Sequence, residues 1–275
     1  MNYRHAFHAG NFADVVKHLA LISALGLLAR KDTPLAVIDS HAGRGLYDLA
    51  GPETKKTGEG EAGIGRLRAG VGRLRGAAGS PLLEKYLALA AESGADAYPG
   101  SPLLMARCLR PQDRLVAIEK HPEEAALLRV ALRPWRKAKV EEADGYERLI
   151  ALLPPVERRG LVLIDPPFEA TDEFARLGAL LRAALARFAT GVYMIWFPVK
   201  SASEANRFCA EVLSAGVKKA LRIDIAIDAP AGKLGQAGLL IVNPPFGLEQ
   251  DMEAALAVAA PLMDAKATFD WLAKD

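Results

Sequence analysis

Short apolar runs alternate with segments of helical periodicity along most of this 275-residue chain. Such alternation is typical of βαβ units, which form a mostly parallel sheet covered by helices on both faces. The last two runs are joined by residues 228–232, a connection too short for a helix, so we expect an antiparallel hairpin there. The sequence thus predicts a doubly wound α/β fold whose seven-stranded, mostly parallel sheet has an antiparallel last strand. The runs are Leu35–Asp39, Leu115–Glu119, Lys139–Glu142, Leu161–Asp165, Val192–Phe197, Leu221–Ile227 and Leu239–Asn243.

The alternation is interrupted once, between Gly45 and Leu115. About 70 residues lie in this interval, far more than a single crossover helix needs. A helical pattern occupies the second half of the interval. We therefore predict a main domain formed by residues 1–45 and 101–275, with a small helical insertion over residues 46–100.

The composition is that of a soluble globular protein, with 51% apolar and 25% charged residues. Because the net charge is only +2, any contact with nucleic acid must come from a local patch. Cys108 and Cys209 form neither a disulfide framework nor a set of metal ligands. The first residues lack the layout of a signal peptide, and the longest apolar stretch, Leu19–Ala29, is too short to span a bilayer. We expect a cytoplasmic protein that does not enter the membrane.

The tetrapeptide Asp165-Pro166-Pro167-Phe168 directly follows the apolar run Leu161–Ile164. Two consecutive prolines fix the backbone and donate no hydrogen bond, so carbonyl groups point outward at the end of the strand. The Asp165 carboxylate and the Pro166 carbonyl can accept both hydrogens of an exocyclic amine while Phe168 stacks on the base that carries it. The motif predicts methylation of a nucleobase amine, with Asp165, Pro166 and Phe168 as the catalytic residues.

Glycines and acids follow the first three predicted strands. Gly43 and Gly45 follow the first strand, but the third glycine of the dinucleotide fingerprint is missing. Glu119 ends the second strand, where a carboxylate accepts hydrogen bonds from ribose, and Asp144-Gly145 follows the third, where an adenine would lie. Each of these residues also has a purely structural explanation. The two glycines could form a tight turn, Glu119 could be a charge at a helix terminus, and Asp144 could be a helix N-cap. S-adenosylmethionine has a ribose and an adenine but no phosphates. Because the sequence offers acidic residues and an incomplete phosphate-binding loop, it favours S-adenosylmethionine over a dinucleotide.

A second copy of the proline motif, Asn243-Pro244-Pro245-Phe246, ends the last predicted strand. Some amine methyltransferases use Asn where others use Asp, so this copy is a competing catalytic candidate. Asp165 ends the fourth strand, which lies beside the first strand in folds of this kind and faces the donor methyl group. We therefore expect Asp165 to be catalytic and Asn243 to be a structural strand end.

The segment Tyr3–His18 is dense in aromatic, basic and imidazole groups. No metal site is expected there, because its histidines match no known ligand spacing and no cysteine accompanies them. We expect this segment to contact nucleic acid or cofactor; a plain surface N-terminus leading into a helix is the alternative. For the arginines of the insertion, at 66, 68, 73 and 75, a solvated face and a phosphate-binding patch remain equally open.

Four blocks together resemble the bacterial large-subunit (23S) ribosomal RNA adenine-N6 methyltransferases of the RlmJ family. They are Tyr3-Arg4-His5-x-Phe7-His8-Ala9-Gly10-Asn11, Asp39-x-His41-Ala42-Gly43-x-Gly45, Tyr98-Pro99-Gly100-Ser101-Pro102 and Asp165-Pro166-Pro167-Phe168. The resemblance covers essentially the whole chain, and it implies a Rossmann-like class I methyltransferase fold. Phe168 departs from the pattern, because relatives commonly have Tyr there; stacking survives this change.

The resemblance also implies roles for individual residues. Asp165 would be the catalytic residue and Tyr3 a contact to the target RNA. The enzyme would be a monomer that acts on protein-free or partly assembled ribosomal RNA. The S-adenosylmethionine contacts implied by the resemblance are His18, His41, Ser101, Glu119, Asp144 and Gly145.

The sequence therefore predicts an S-adenosylmethionine-dependent enzyme that flips one adenine of 23S ribosomal RNA into a pocket above Asp165 and methylates its N6 amine. A DNA adenine-N6 methyltransferase is the nearest alternative, because the motif does not distinguish the two sugars. A catalytically silent RNA-binding module of the same fold is a second alternative. An NAD-dependent enzyme is a more distant one, weakened by the missing third glycine.

Overall fold

The computed structural model describes residues 7–73, 80–230 and 232–274. Its ten strands within this range are β1 (Ala36–Asp39), β2 (Leu46–Asp48), β3 (Ala97–Pro99), β4 (Arg114–Glu119), β5 (Ala138–Glu142), β6 (Gly160–Ile164), β7 (Val192–Pro198), β8 (Lys219–Ile227), β9 (Gln236–Val242) and β10 (Ala265–Lys274). The helices are α1 (Phe12–Ala29), α2 (Pro52–Thr57), a π-helical turn (Glu61–Gly65), α3 (Arg66–Arg73), α4 (Pro81–Ala91), α5 (Ser101–Cys108), α6 (Pro122–Leu132), α7 (Gly145–Leu152), α8 (Glu173–Arg187), α9 (Ala202–Ser214) and α10 (Leu248–Leu262).

Eight strands form one sheet in the order β10-β8-β9-β7-β6-β1-β4-β5. β1 is an interior strand of this sheet and pairs in parallel with β4 on one side and with β6 on the other. β9 is antiparallel to both of its neighbours, β7 and β8. The predicted Rossmann-like α/β architecture is thus confirmed, including the antiparallel hairpin formed by β8 and β9.

The predicted count of seven strands was wrong by one, because β10 pairs in antiparallel with β8 and extends the sheet to eight. The sequence pattern of β10 is weak: half-buried residues alternate with exposed ones such as Lys266 and Asp270, as expected for an edge strand. Charged residues on an edge hinder pairing with another chain, and they also mask the apolar alternation in the sequence.

The two faces of the sheet are covered by different helices. One apolar core includes residues of α1, α5 and α10, and the other includes residues of α7, α8 and α9. α1 begins at Asn11, whose side chain accepts a hydrogen bond from the Asp14 backbone amide. Although α1 is long and apolar enough to cross a bilayer, 83% of it is buried inside the protein, as in a core helix.

The segment predicted as an insertion leaves and rejoins the sheet through a short antiparallel pair, β2 with β3. Its helices pack on α1 and α10, and Ile64, Leu83 and Tyr86 belong to the same apolar core as α1. A close backbone contact joins the two parts, since a Cβ added to Gly63 would lie 2.2 Å from the Gly10 carbonyl oxygen. The division of the chain into two units remains a prediction.

Candidate active site

Two cavities lie at the edge of the sheet where the parallel strands end, and they share Lys17, Asp165 and Pro167. The first is bordered by the loops that follow β1, β4 and β5. The second is bordered by the segment before α1 and the end of β7. Ligands of open α/β sheets bind at this edge. The shared residues therefore join two compartments that can hold two different molecules.

Asp165, which directly follows β6, is held by an ion pair. Its carboxylate accepts a hydrogen bond from the Lys17 ammonium at 2.5 Å, and the same ammonium donates to Asp14 at 2.7 Å. Burial alone would lower the pKa of Lys17, but the two carboxylates outweigh this effect and raise it above its ordinary value. The Asp14 carboxylate also accepts a hydrogen bond from the Gly10 amide. Lys17 thereby ties Asp165 to the segment that precedes α1.

The rest of the proline motif forms one wall of the second cavity. Phe168 has a positive φ of 50°, and its ring makes edge contacts with Phe174 at 5.1 Å and Trp196 at 5.9 Å. Pro167 lines both cavities, whereas Pro166, also predicted to be catalytic, is buried and lines neither. The motif thus places a carboxylate beside an aromatic wall, as a flipped base requires.

Glu119, at the end of β4, is fixed by two backbone amides. The amide of Gly43 donates to one carboxylate oxygen at 2.8 Å, and the amide of His121 donates to the other at 2.7 Å. Each oxygen retains a second lone pair, which can accept a hydroxyl of a ribose. The two loops therefore orient this carboxylate before any ligand arrives.

Asp144 caps α7 and also borders the first cavity. Its carboxylate accepts hydrogen bonds from the Tyr146 amide at 2.9 Å and from the Lys120 ammonium at 2.8 Å. Burial would raise the pKa of Asp144, but these hydrogen bonds outweigh it and lower the value. Gly145 is required beside it, because an added Cβ would lie 2.0 Å from the Ser40 carbonyl oxygen. Asp144 can therefore cap α7 and line the first cavity at the same time.

Buried polar groups at the end of β1 hold the loop that follows it. Ser101 donates a hydrogen bond to the fully buried Asp39 carboxylate at 2.7 Å. Burial raises the pKa of Asp39 to about 7, although this hydrogen bond opposes the shift. His41 contacts the Ser40 hydroxyl at 2.8 Å through Nδ1, and burial lowers the pKa of His41 to about 4. The imidazole beside the cavity is therefore neutral at pH 7.

His18 lies one residue beyond Lys17 on the buried face of α1. Its Nδ1 is 2.8 Å from the Tyr98 hydroxyl, which is in turn 3.0 Å from the Tyr86 hydroxyl. Burial raises the pKa of both phenols, so they stay neutral and can donate hydrogen bonds. This chain of polar groups fixes the ring of His18 against the cavity.

The structure brings most of the predicted site residues together. Tyr3 lies outside the described residues. Asp165 borders both cavities, and Phe168 borders the second. The six residues expected to contact the cofactor all border the first cavity: His18, His41, Ser101, Glu119, Asp144 and Gly145.

Sequence reasoning missed several residues of the site. Lys17 was signalled only by its i,i+3 spacing from Asp14, and nothing local indicates that it reaches Asp165, which is 148 positions away. Tyr146 and Arg176 also border the first cavity, where the guanidinium lies 4.2 Å from the centre of the phenol ring. Their proximity depends on the packing of α7 against α8, which no short motif reveals.

The second proline motif lies at the opposite edge of the sheet. The Asn243 side-chain amide donates hydrogen bonds to the carbonyls of Ala189 and Gly191, both at 2.8 Å, just before β7 begins. Phe246 is 95% exposed and borders neither cavity. Its position agrees with the expectation of a structural strand end. Within the described residues no group of three or more His, Cys, Asp and Glu side chains could hold a metal ion.

Comparisons of this chain with a family model and with known proteins agree on one family. A family model described as "Ribosomal RNA large subunit methyltransferase D, RlmJ" matches residues 32–273. A protein of Escherichia coli K12 named "Ribosomal RNA large subunit methyltransferase J" is 36% identical over 282 residues, covering 99% of each chain. The Haemophilus influenzae protein of the same name is also 36% identical, covering 98% of this chain and 97% of its own. This chain belongs to the RlmJ family.

A solved structure supports the fold of this RlmJ-family chain. The crystal structure of a Legionella pneumophila protein superposes with a TM-score of 0.87 and 31% sequence identity, covering 96% of this chain and 98% of that one. The expectation of a ribosomal RNA methyltransferase is confirmed at the level of the RlmJ family. Family membership implies use of S-adenosylmethionine, and the first cavity offers acids at the strand ends to receive it.

Proposed function

We propose that this chain transfers a methyl group from S-adenosylmethionine to the N6 amine of one adenine in 23S ribosomal RNA. The supporting observation is the meeting of two cavities at Asp165, Lys17 and Pro167. A carboxylate at such a junction can contact an amine in one cavity that faces a donor in the other. The two reactants would then be held in line, and such placement supplies much of the catalytic effect.

The first cavity would hold the cofactor, which supplies an electrophilic methyl group. Glu119 would accept hydrogen bonds from its ribose hydroxyls, and Asp144 with Gly145 would border its adenine. His41 follows β1, the strand beside β6, and Ser101 donates a hydrogen bond to Asp39 at the end of β1. His18 follows Lys17, which contacts Asp165, so these three residues would receive the methionine part. The neutral state of His41 lets its imidazole bind there without repelling the cationic sulfur.

The second cavity would hold the flipped adenine. The ring of Phe168 would stack on the base, and Asp165 with the Pro166 carbonyl would accept the two hydrogens of N6. These residues would hold the N6 lone pair in line with the methyl group that the cofactor supplies, and the N6 proton released on transfer would pass to water. The Asp165 carboxylate stabilises the positive charge that develops on nitrogen. Lys17 keeps that carboxylate aimed at the amine through its hydrogen bond.

The natural substrate would be protein-free or partly assembled 23S ribosomal RNA in the cytoplasm, and the enzyme would act as a monomer. Tyr3 would contact the target RNA. The loop geometry at Asp165 does not distinguish ribose from deoxyribose, so duplex DNA is the substrate to compare.

Methyl transfer to unmodified 23S ribosomal RNA tests the proposal. Purified enzyme with labelled S-adenosylmethionine should produce one N6-methyladenine, detected by mass spectrometry of nuclease digests, and should leave duplex DNA unlabelled. Asp165→Ala should lower the rate at least roughly 100-fold, because it removes the group that stabilises charge at nitrogen. Cofactor binding in calorimetry should persist in that variant. Methylation of DNA but not RNA, or full activity of Asp165→Ala, would contradict the proposal.

A further inference from the structure

Lys200 lies at the rim of the second cavity, two residues beyond the end of β7. The side chain is exposed, and β7 is the strand next to β6, which carries Asp165 at its end. The lysine thus stands on the same edge of the sheet as the proposed acceptor site. No sequence motif pointed to it.

The cations around the two cavities differ in their ion pairing. Lys17, Lys120 and Arg176 each have a carboxylate oxygen nearby, at 2.5, 2.8 and 3.6 Å respectively. Within the described part of the chain, no carboxylate oxygen lies within 4.0 Å of the Lys200 ammonium. Its charge is therefore available to an anion that approaches the second cavity, whereas the other three charges are already balanced.

The walls of the second cavity indicate which part of a nucleotide would enter it. Phe168, Trp196, Pro198 and Leu234 present apolar surface that suits the faces of a base. A phosphate is strongly hydrated, and burying it against such walls would be costly, so it must remain at the mouth. The Lys200 side of the mouth is the favourable one.

We infer that Lys200 binds a backbone phosphate of the flipped adenine nucleotide or of its immediate neighbour. This inference rests on the proposed function, since it concerns the same RNA in the same cavity. A lysine–phosphate contact carries no information about base identity. It fixes the register of the strand over the cavity, so Lys200 is a positioning residue that contributes to affinity for any strand with a flipped base.

The salt dependence of RNA binding tests this role. The affinity of the wild-type enzyme and of Lys200→Ala for a 23S fragment containing the target is measured at several salt concentrations. Loss of one phosphate contact should lower the slope of log affinity against log salt by about 0.7 to 0.9 and should weaken binding roughly 3- to 10-fold at low salt. Lys200→Arg should retain the wild-type slope, and Lys200→Glu should bind more weakly than Lys200→Ala.

Lys266→Ala is the matched control, because this lysine is also exposed but lies on the edge strand β10, at the far end of the sheet from β6. In Lys200→Ala the KM for RNA should rise while kcat and the calorimetric affinity for S-adenosylmethionine stay at wild-type values. An unchanged salt slope, or an equal change in the Lys266→Ala control, would overturn the inference. If the wild-type enzyme fails to methylate ribosomal RNA at all, the proposed function fails instead.

Discussion

At the scale of single residues, the site depends on charges that are buried together. Lys17 lies between Asp14 and Asp165, and the side chains of Lys17 and Asp14 are each only 3% exposed. Removing one of these buried charges destabilises the fold, because its partner is left as an uncompensated buried charge. By contrast, no lysine or arginine of the described residues donates a hydrogen bond to the Asp39 carboxylate, and burial raises its pKa to about 7.

We expect Lys17→Met to lower the free energy of unfolding by about 3 to 5 kcal/mol and to reduce methyl transfer, because two like charges would face each other across the gap. Lys17→Met combined with Asp14→Asn should regain part of that stability, since one of the two carboxylates becomes neutral. Denaturant unfolding and a methyl-transfer assay measure the two effects. Lys85→Met, at an exposed position of α4, should change stability by less than about 0.5 kcal/mol. Equal stability of Lys17→Met and Lys85→Met would contradict the expectation.

The raised pKa of Asp39 predicts a pH dependence of stability. Between about pH 4 and pH 7 the folded state holds a proton on Asp39 that the unfolded state has released, so stability falls as the pH rises through this window. Asp39→Asn mimics the protonated form and should lack this component. The variant should therefore match the wild type near pH 4 and become the more stable of the two by pH 8. Urea unfolding at a series of pH values checks this; a stability difference that does not change with pH would exclude it.

At the scale of elements, the site depends on how closely loops approach one another. The loop after β1 packs so tightly on the start of α7 that only glycine fits at position 145. The sequence located every strand of the main sheet except one, because a buried strand is an apolar run bounded by turn residues. It did not indicate the short strands β2 and β3 of the smaller sheet. It missed β10, whose alternation of half-buried and exposed residues is typical of an edge strand and weak as a signal.

We expect Gly145→Ala to lower the free energy of unfolding by about 1 to 3 kcal/mol and to weaken S-adenosylmethionine binding, because the new methyl group pushes the loop after β1 away from α7. Calorimetry with the cofactor and thermal unfolding provide the measurements. Gly26→Ala in α1 is the control, since its added Cβ would meet its nearest neighbour, the Lys85 ammonium, at an ordinary 3.6 Å. That control should gain about 0.5 to 1 kcal/mol from helix propensity. Cofactor affinity of Gly145→Ala equal to that of Gly26→Ala would refute the expectation.

At the scale of the whole molecule, strand direction separates the two proline motifs. β6 and β7 are parallel, so their carboxyl ends lie at the edge that holds the cavities. β9 is antiparallel to β7, and the pairing of Tyr193 with Val242 places its carboxyl end at the opposite edge. Asn243 follows Val242 directly, so it cannot reach a molecule bound beside Asp165.

The enzyme carrying Asn243→Ala should therefore still transfer methyl groups at a rate close to that of the wild type. It should lose about 1 to 3 kcal/mol of stability, because two carbonyl groups lose their hydrogen bonds and alanine replaces asparagine at a φ of 53°. A methyl-transfer assay below the unfolding temperature and a thermal melt measure the two quantities. Loss of activity with cofactor binding intact would show that the second motif takes part in catalysis.

The sequence by itself determined which chemical groups this protein presents and the local backbone that holds them. Asp165 precedes two prolines after a buried strand, and Glu119 and Asp144 end or follow strands, whatever the rest of the chain does. Only the tertiary structure decided which of these groups meet. The Lys17–Asp165 ion pair and the separation of Asp165 from Asn243 depend on strand order and direction. These arise from long-range packing, whereas a motif of four residues records only its own backbone and side chains.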